Sequence, residues 1–228
     1  VPSTLANFAG GALERRTVDM FLPVSHSVAE QTRLSKRTAP YRVIPNFIPD
    51  DVEPQGENDD ALLAQLPQGD FLLYVGDLMP DKGVDVLLQA HAQLKRQLPL
   101  VLIGRPINGY TERFPPGVMH LGRWPHSAIM QAWSRCSLAL TPSICPDACP
   151  TVAMEAMSMG RPIVASRIGG LTDIILDGQS GLLVPPGDAQ ALQQAIQCLL
   201  DDSERRACMG VMARQRVGQF LAKSVVSR

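Results

Sequence analysis

Eight short runs rich in β-branched and aliphatic residues recur along this chain, and most are followed by a segment of helical periodicity. The runs are "FLPVS" (21–25), "YRVIP" (41–45), "FLLYVG" (71–76), "LVLIG" (100–104), "VMHLG" (118–122), "LALTP" (138–142), "PIVAS" (162–166) and "GLLVP" (181–185). Several are continuously apolar rather than alternating. A strand with that pattern needs cover on both faces, which is the environment of a parallel sheet. Helical patterns fall at 83–97, 126–134, 151–159, 170–177, 188–200 and 204–219. Strand–helix alternation on this scale predicts an α/β fold with a Rossmann-like, doubly wound parallel sheet. Its crossovers are expected to be right-handed.

The 228 residues suffice for one good-sized domain, or for a domain with part of another. Residues 46–60, "NFIPDDVEPQGENDD", are polar, acidic and proline-bearing, and read as an interdomain linker. The stretch before them, 1–45, holds two strand candidates and one or two helices, the second opened by Ser27 and Glu30 at capping-box spacing. That is too little for an independent domain. Residues 61–228 hold six strand candidates and their helices, enough for a complete sheet. The chain opens on Val1, which suits a fragment or a processed product. A net charge of −1 gives no basic surplus for a nucleic-acid surface. No run approaches the roughly 18 apolar residues of a membrane span, and the first residues lack a signal-peptide pattern. The five cysteines form no C-x-x-C pair and read as buried cytosolic thiols, not zinc ligands.

The segment "CPDACPTVAMEAMSMGRP" (145–162) raises a sharper question. Pro150 suits the first position of a helix, and Gly160 and Pro162 its end. The helix is apolar almost all round yet carries Glu155, and an ionised carboxylate is costly to bury unpaired. In an open parallel sheet the turn from a strand into its helix faces the ligand crevice. The free amides of Thr151, Val152 and Ala153 there would attract an anion. Glu155 lies on the same face about one turn deeper. With a phosphate at the helix start, a ribose would fall beside Glu155, whose two oxygens can accept from a vicinal diol. A salt bridge from Glu155 to Arg161 or Arg167 is the alternative, and spacing does not choose between them.

The stretch "PSICPDACPTVAMEAMSMGRPIVASRIGG", followed by "DGQSGLLVPPGDAQALQQAI", resembles the donor-binding half of the large group 1 (GT4-like) family of retaining glycosyltransferases. These have two facing Rossmann-like domains, the GT-B fold. The family's signature is an acid, seven residues, then a glutamate, and here Asp147 and Glu155 hold those positions. "YVGDLMPDKGVDVLLQAHAQL" resembles its glycine-then-lysine loop, and "PVSHSV" and "VIPNFIPDD" resemble the end of the acceptor domain and the linker. The resemblance implies a nucleoside-diphosphate sugar as donor substrate, a sugar or lipid-linked acceptor, and no metal or other cofactor. The sequence has no D-x-D, the metal–diphosphate motif of the other major glycosyltransferase fold. By resemblance, Lys82 neutralises the diphosphate, Pro150, Thr151 and Val152 bring the helix amides to it, Glu155 binds ribose, and Asp147 orients the donor sugar. Gly76, Asp77, Gly104, Arg105, Arg123 and Trp124 line the rest of the donor site, the last two where the family places the base. A cytoplasmic setting is implied, with peripheral association at the inner membrane face through an N-terminal domain left open.

Two residues depart from the family pattern. Asp77 stands where an arginine usually follows the glycine, so Lys82 must act alone or with Arg105 or Arg123. Asp147 is one methylene shorter than the usual glutamate. Taken singly, Gly76 and Gly83 are strand-end punctuation without a G-x-G-x-x-G fingerprint, and Trp124 suits core and rim equally. The four histidines show no metal-ligand spacing. A non-catalytic nucleotide-sugar-binding fragment, or an epimerase or phosphorylase of the same fold, remains open beside the transferase, since fold does not fix function.

Overall fold

The computed structural model of the chain describes residues 17–37, 39–51, 59–107 and 114–227. Helix α1 (His26–Gln31) and α2 (Asp60–Leu63) precede the sheet. The sheet alternates with helices in the order β1 (Leu72–Val75), α3 (Val84–Ala92), β2 (Leu100–Ile103), β3 (Val118–His120), α4 (His126–Arg135), β4 (Leu138–Thr141), α5 (Thr151–Ser158), β5 (Ile163–Ser166), α6 (Leu171–Ile174) and β6 (Gly181–Val184). Three further helices follow: α7 (Ala189–Asp201), α8 (Ser203–Val217) and α9 (Ala222–Val226). All pairings are parallel, and the six strands lie in the order β3-β2-β1-β4-β5-β6. This is the dinucleotide-fold order, in which the direction of winding reverses between β1 and β4. The crevice beyond the carboxyl ends of those two strands is the place for a ligand.

Covering both faces explains why the strands read as unbroken apolar runs. Leu73, Val101 and Ala139 face one side and join a core with Trp133 of α4, Met154 and Met157 of α5 and Ala213 of α8. Leu72, Tyr74, Leu100, Leu138 and Leu140 face the other, against Leu87 of α3 and Leu192, Ile196 and Leu199 of α7. Both layers are closely filled, so truncating a fully buried residue such as Leu140 would cost about 2–5 kcal/mol. Leu192, Ile196 and Leu199, a stripe at helical spacing along the pattern at 188–200, are therefore core.

Six of the eight expected strands form. "FLPVS" and "YRVIP" do not: they meet at the isolated bridge Phe21–Tyr41, where the Phe21 amide donates to Pro40 O, the Arg42 amide to Phe21 O and the Ile44 amide to Pro23 O. A strand of these runs has no neighbouring strand to complete its ladder among the described residues, and Met20, Leu22, Tyr41 and Phe47 are exposed. The helix expected at 83–97 stops at Ala92: Gln93 leaves helical geometry, and the Gln93 and Leu94 amides bond only three residues back, to Ala90 O and His91 O. That at 170–177 shrinks to Leu171–Ile174, since Ile175 is already extended. Helix α1 is capped by Ser25, whose Oγ accepts from the Val28 amide. Ser27 lies inside the helix and accepts from Gln31, so the capping-box reading at Ser27 is corrected.

Part of the expected linker, 52–58, lies outside the described residues, as do residues 1–16. The part before it is tied down at both sides. Ile48 is buried and pairs with Leu221, its amide bonded to Phe220 O and its carbonyl to the Ala222 amide, each at 3.0 Å. Asn46 Nδ2 donates to Cys149 O at 2.8 Å, directly before α5.

Candidate functional site

The chain's chemistry-bearing residues gather at the carboxyl edge of the sheet because glycines let three loops meet there. Gly83 has φ +71° in the left-handed region, and a Cβ at that position would lie 1.9 Å from Pro142 O. Only glycine lets the loop after β1 press against the loop after β4. The contact is completed by amides of Ile144 and Cys145 donating to Asp81 O. Gly169, also left-handed at φ +59°, gives similar clearance to the Asp147 backbone, and the Gly170 amide donates to Asp147 O at 2.7 Å. Asp147 is thus held from both sides of the winding reversal.

The outcome is an ion pair across the crevice. Lys82 Nζ lies 2.5 Å from Asp147 Oδ1, and Ser143 Oγ donates to Oδ2 at 3.1 Å. Beside them α5 begins. Pro150 is its N-cap, with extended backbone and no capping side chain. Its place is therefore one residue earlier than the first-turn position expected from sequence. The first-turn amides of Thr151, Val152 and Ala153 have no acceptor within the helix, and the positive end of the helix dipole adds to their pull on an anion.

Glu155 is one turn further along α5, with a side chain 16% exposed. Neither arginine considered for it from sequence is its partner. Arg161 donates to Ser134 O and Cys136 O, closing the end of α4, and Arg167 pairs with Asp177. The basic side chain near Glu155 is His126, the first residue of α4, with Nε2 3.4 Å from Oε1.

A cavity of about 300 Å³ adjoins this point, lined among others by Gly76, Asp77, Gly104, Arg105, Arg123, Trp124 and His126. A Cβ on Gly104 would sit 1.8 Å from Gly76 O, so the ends of β1 and β2 pack backbone to backbone and leave the space open. Arg105 Nε donates to Asp77 Oδ1 at 3.1 Å. The acid at the unusual position therefore holds one of the two arginines considered as helpers of Lys82. Arg123 is exposed at the rim. Trp124 is buried, its indole N–H donating to Leu121 O, and forms a wall of the cavity rather than a free edge.

The nearby thiols are shifted away from the thiolate, the nucleophilic form. Burial pushes the Cys149 thiol up, and partial desolvation together with the adjacent Asp81 pushes Cys145 up. Sequence reasoning missed Ser143 and His126. Ser143 follows a strand end, which was a usable signal. Nothing in the spacing of His126 connects it with Glu155.

A family model described as "Glycosyl transferases group 1" matches residues 69–202. The D-inositol 3-phosphate glycosyltransferase of Jonesia denitrificans is 30% identical over 190 residues, covering 76% of this chain and 45% of the relative. A glycosyltransferase of Methanocaldococcus jannaschii is 30% identical over 154 residues, covering 66% of this chain and 44% of the relative. The chain thus spans less than half the length of these curated relatives. Among solved structures, Anabaena Alr3699/HepE in complex with UDP and glucose superposes with a TM-score of 0.80 at 24% identity, over 96% of this chain and 63% of that one. Sucrose-phosphate synthase from Thermosynechococcus elongatus gives 0.79 at 25% identity, over 95% and 59%. The fold is that of the C-terminal Rossmann-like domain of GT-B glycosyltransferases, and the chain belongs to the group 1 glycosyl transferase family.

Proposed function

We propose that this chain is the nucleotide-sugar-binding half of a retaining glycosyltransferase that moves a hexose from a nucleoside diphosphate to an acceptor hydroxyl. The observation that carries the reading is the convergence of Lys82, Asp147, the uncapped start of α5 and Glu155 at the winding reversal. It matches, group for group, the parts of a nucleoside-diphosphate sugar. Lys82 and the amides of Thr151 and Val152 meet the diphosphate, Glu155 the ribose diol, Asp147 the sugar hydroxyls, and the cavity under Gly76 and Gly104 the base. Hexose transfer with retention of anomeric configuration is carried over from the family resemblance.

In the reaction the bond from the anomeric carbon to the diphosphate oxygen breaks, its electron pair going to the phosphate. A bond from the acceptor oxygen replaces it, and the acceptor proton passes to the departing phosphate oxygen. Negative charge grows on the diphosphate as this happens. A fixed ammonium and helix amides therefore stabilise the transition state more than the ground state. Residues 17–45 belong, on this reading, to the margin of the acceptor domain, and the exposed Met20, Leu22 and Phe47 would be covered by it. That domain would bring the sugar or lipid-linked acceptor, with any peripheral membrane contact at the cytoplasmic face.

Calorimetric titration with UDP, GDP and ADP and their sugars tests the donor class, with Lys82→Ala as the control. Binding of one nucleoside diphosphate, weakened by that substitution, is expected. Absence of binding by all of them overturns the reading. With a protein that includes the acceptor domain, release of free nucleoside diphosphate alongside a new glycoside supports transfer. An epimerised sugar or a sugar 1-phosphate overturns it in favour of an isomerase or phosphorylase.

A further inference from the structure

The His126–Glu155 contact has no counterpart in the readings made from sequence. His126 opens α4 after the loop leaving β3, whereas Glu155 sits on α5 after β4, so the two approach from opposite sides of the winding reversal. The imidazole Nε2 is 3.4 Å from Glu155 Oε1, with the imidazole 62% exposed and the carboxylate only 16% exposed. Among the described residues no lysine or arginine pairs with Glu155. The remaining charges around the imidazole are Asp77, Arg105 and Arg123, which line the same cavity, and Asp77 with Arg105 already form a pair. A mostly buried carboxylate is thus left with one imidazole beside it, and that side chain also walls the cavity assigned to the base.

We propose that His126 is a positioning residue for Glu155, holding the carboxylate at the angle at which it reads the ribose diol. The inference rests on the assignment of Glu155 to the ribose. A carboxylate offers about four lone-pair sites. A donor at Oε1 from the imidazole still leaves each oxygen able to accept from one hydroxyl of a vicinal diol. Without that donor the side chain can rotate about its terminal torsion, which is broad and weakly held on its own. The 3.4 Å separation is loose, as acid–base contacts often are before a ligand closes on them. Binding of the diol is expected to tighten it.

The test compares a nucleoside diphosphate with its 2′-deoxy form by calorimetry, in five proteins: wild type, Glu155→Gln, His126→Ala, His126→Gln and the double variant Glu155→Gln/His126→Ala. His126→Ala should lower ribonucleotide affinity about fivefold to tenfold while changing the deoxy form by less than twofold. His126→Gln, whose amide can still donate to Oε1, should recover most of the difference. In the double variant with Glu155→Gln, removing His126 should cause no further loss of discrimination. Should Glu155→Gln itself weaken both nucleotides equally, the ribose assignment fails and the proposal with it. If Glu155→Gln discriminates but His126→Ala weakens both forms equally, or leaves both unchanged, only the role of His126 is overturned. Far-ultraviolet circular dichroism and melting of each variant show whether it is folded. Should His126→Ala fail to fold, the comparison is made on His126→Gln and His126→Asn. The asparagine, too short to reach Oε1, is expected to lose discrimination. Equal discrimination by these two also overturns the proposal.

Discussion

Lys82 and Asp147, 65 residues apart in sequence, form an ion pair across the point where the sheet reverses its winding. The side chains are 34% and 24% exposed, so each remains open to the crevice. A pair of this partly solvated kind is worth about 0.2–1 kcal/mol. On the proposed function, a diphosphate donor would offer the lysine a larger charge, and the lysine would exchange partners when that donor arrives. The exchange would free Asp147 to accept from sugar hydroxyls at the moment the sugar is delivered.

Opposite effects are therefore expected from the two halves of the pair. Lys82→Ala should weaken nucleoside-diphosphate binding by about 2–3 kcal/mol, the lower part of the range for stripping one partner from a charge pair. Asp147→Asn should leave that binding unchanged or tighten it up to about fivefold, since less than 1 kcal/mol of competition is removed. The same substitution should nonetheless abolish transfer by a protein with both domains. Calorimetry of the two variants decides it. A large loss of nucleotide affinity in Asp147→Asn contradicts the exchange.

Gly83 and Gly187 are both left-handed, at φ +71° and +78°, but only the first has a backbone carbonyl in the path of a Cβ. Gly187→Ala should cost about 1–2 kcal/mol for the left-handed alanine alone. At roughly 2–4 °C of melting temperature per kcal/mol for a chain of this size, that is a modest shift. Gly83→Ala must in addition part the loops after β1 and β4, so it should lower the melting temperature about twice as far and weaken nucleotide binding. Equal melting temperatures for the two variants would refute the close approach at Pro142.

Asp70 marks the opposite edge of the sheet. The Ser137 hydroxyl donates to it, and Arg206 and Arg96 add positive charge, so its carboxyl is held below the usual range despite partial burial. A carboxyl with a lower pKa folded than unfolded contributes stability that is present above the unfolded value, about 3.9, and is lost as pH falls through the folded value. Melting temperature measured from pH 6 down to pH 3 should therefore fall less steeply in Asp70→Asn than in wild type. Identical slopes would mean that this network contributes nothing.

Burial pushes the Cys136 thiol up to about 12, while Cys145 and Cys208, expected from sequence to be buried, are exposed. Alkylation of the native protein at pH 8, followed by mass spectrometry, should spare Cys136 and Cys149 and modify Cys208. Early labelling of Cys136 would mean that the core between α4 and β4 opens far more readily than its packing allows.

Hydrogen exchange should divide the amino-terminal segment sharply. Phe21, Arg42 and Ile44 donate in an isolated two-stranded contact, which is marginal without further strands. Their amides should exchange early. Ile48 and Ala222, bonded reciprocally across the buried Ile48–Phe220 contact, should exchange with the core strands. Protection of 21–44 equal to that of β1 in a monomer would count against reading this segment as the margin of a second domain.

The six strands of the sheet, their parallel pairing class and the approximate place of the crevice were legible in the sequence. A strand buried on both faces must be apolar at every position, and the start of a helix after such a strand is marked by proline and glycine punctuation. Lys82, Asp147 and Glu155 were singled out as well, through motif spacing in the family resemblance rather than through periodicity, and their roles belong to the proposed function. Which charge meets which was not legible. Local spacing reports only neighbours within a strand or a helical turn. The pairs Lys82–Asp147, Asp77–Arg105 and His126–Glu155 join separate loops that meet only after the sheet has formed in the order β3-β2-β1-β4-β5-β6. The runs at 21–25 and 41–45 show the same limit from the other side. Their composition suits a strand, but a strand exists only where a neighbour completes its hydrogen bonds, and that neighbour is a property of the tertiary structure alone.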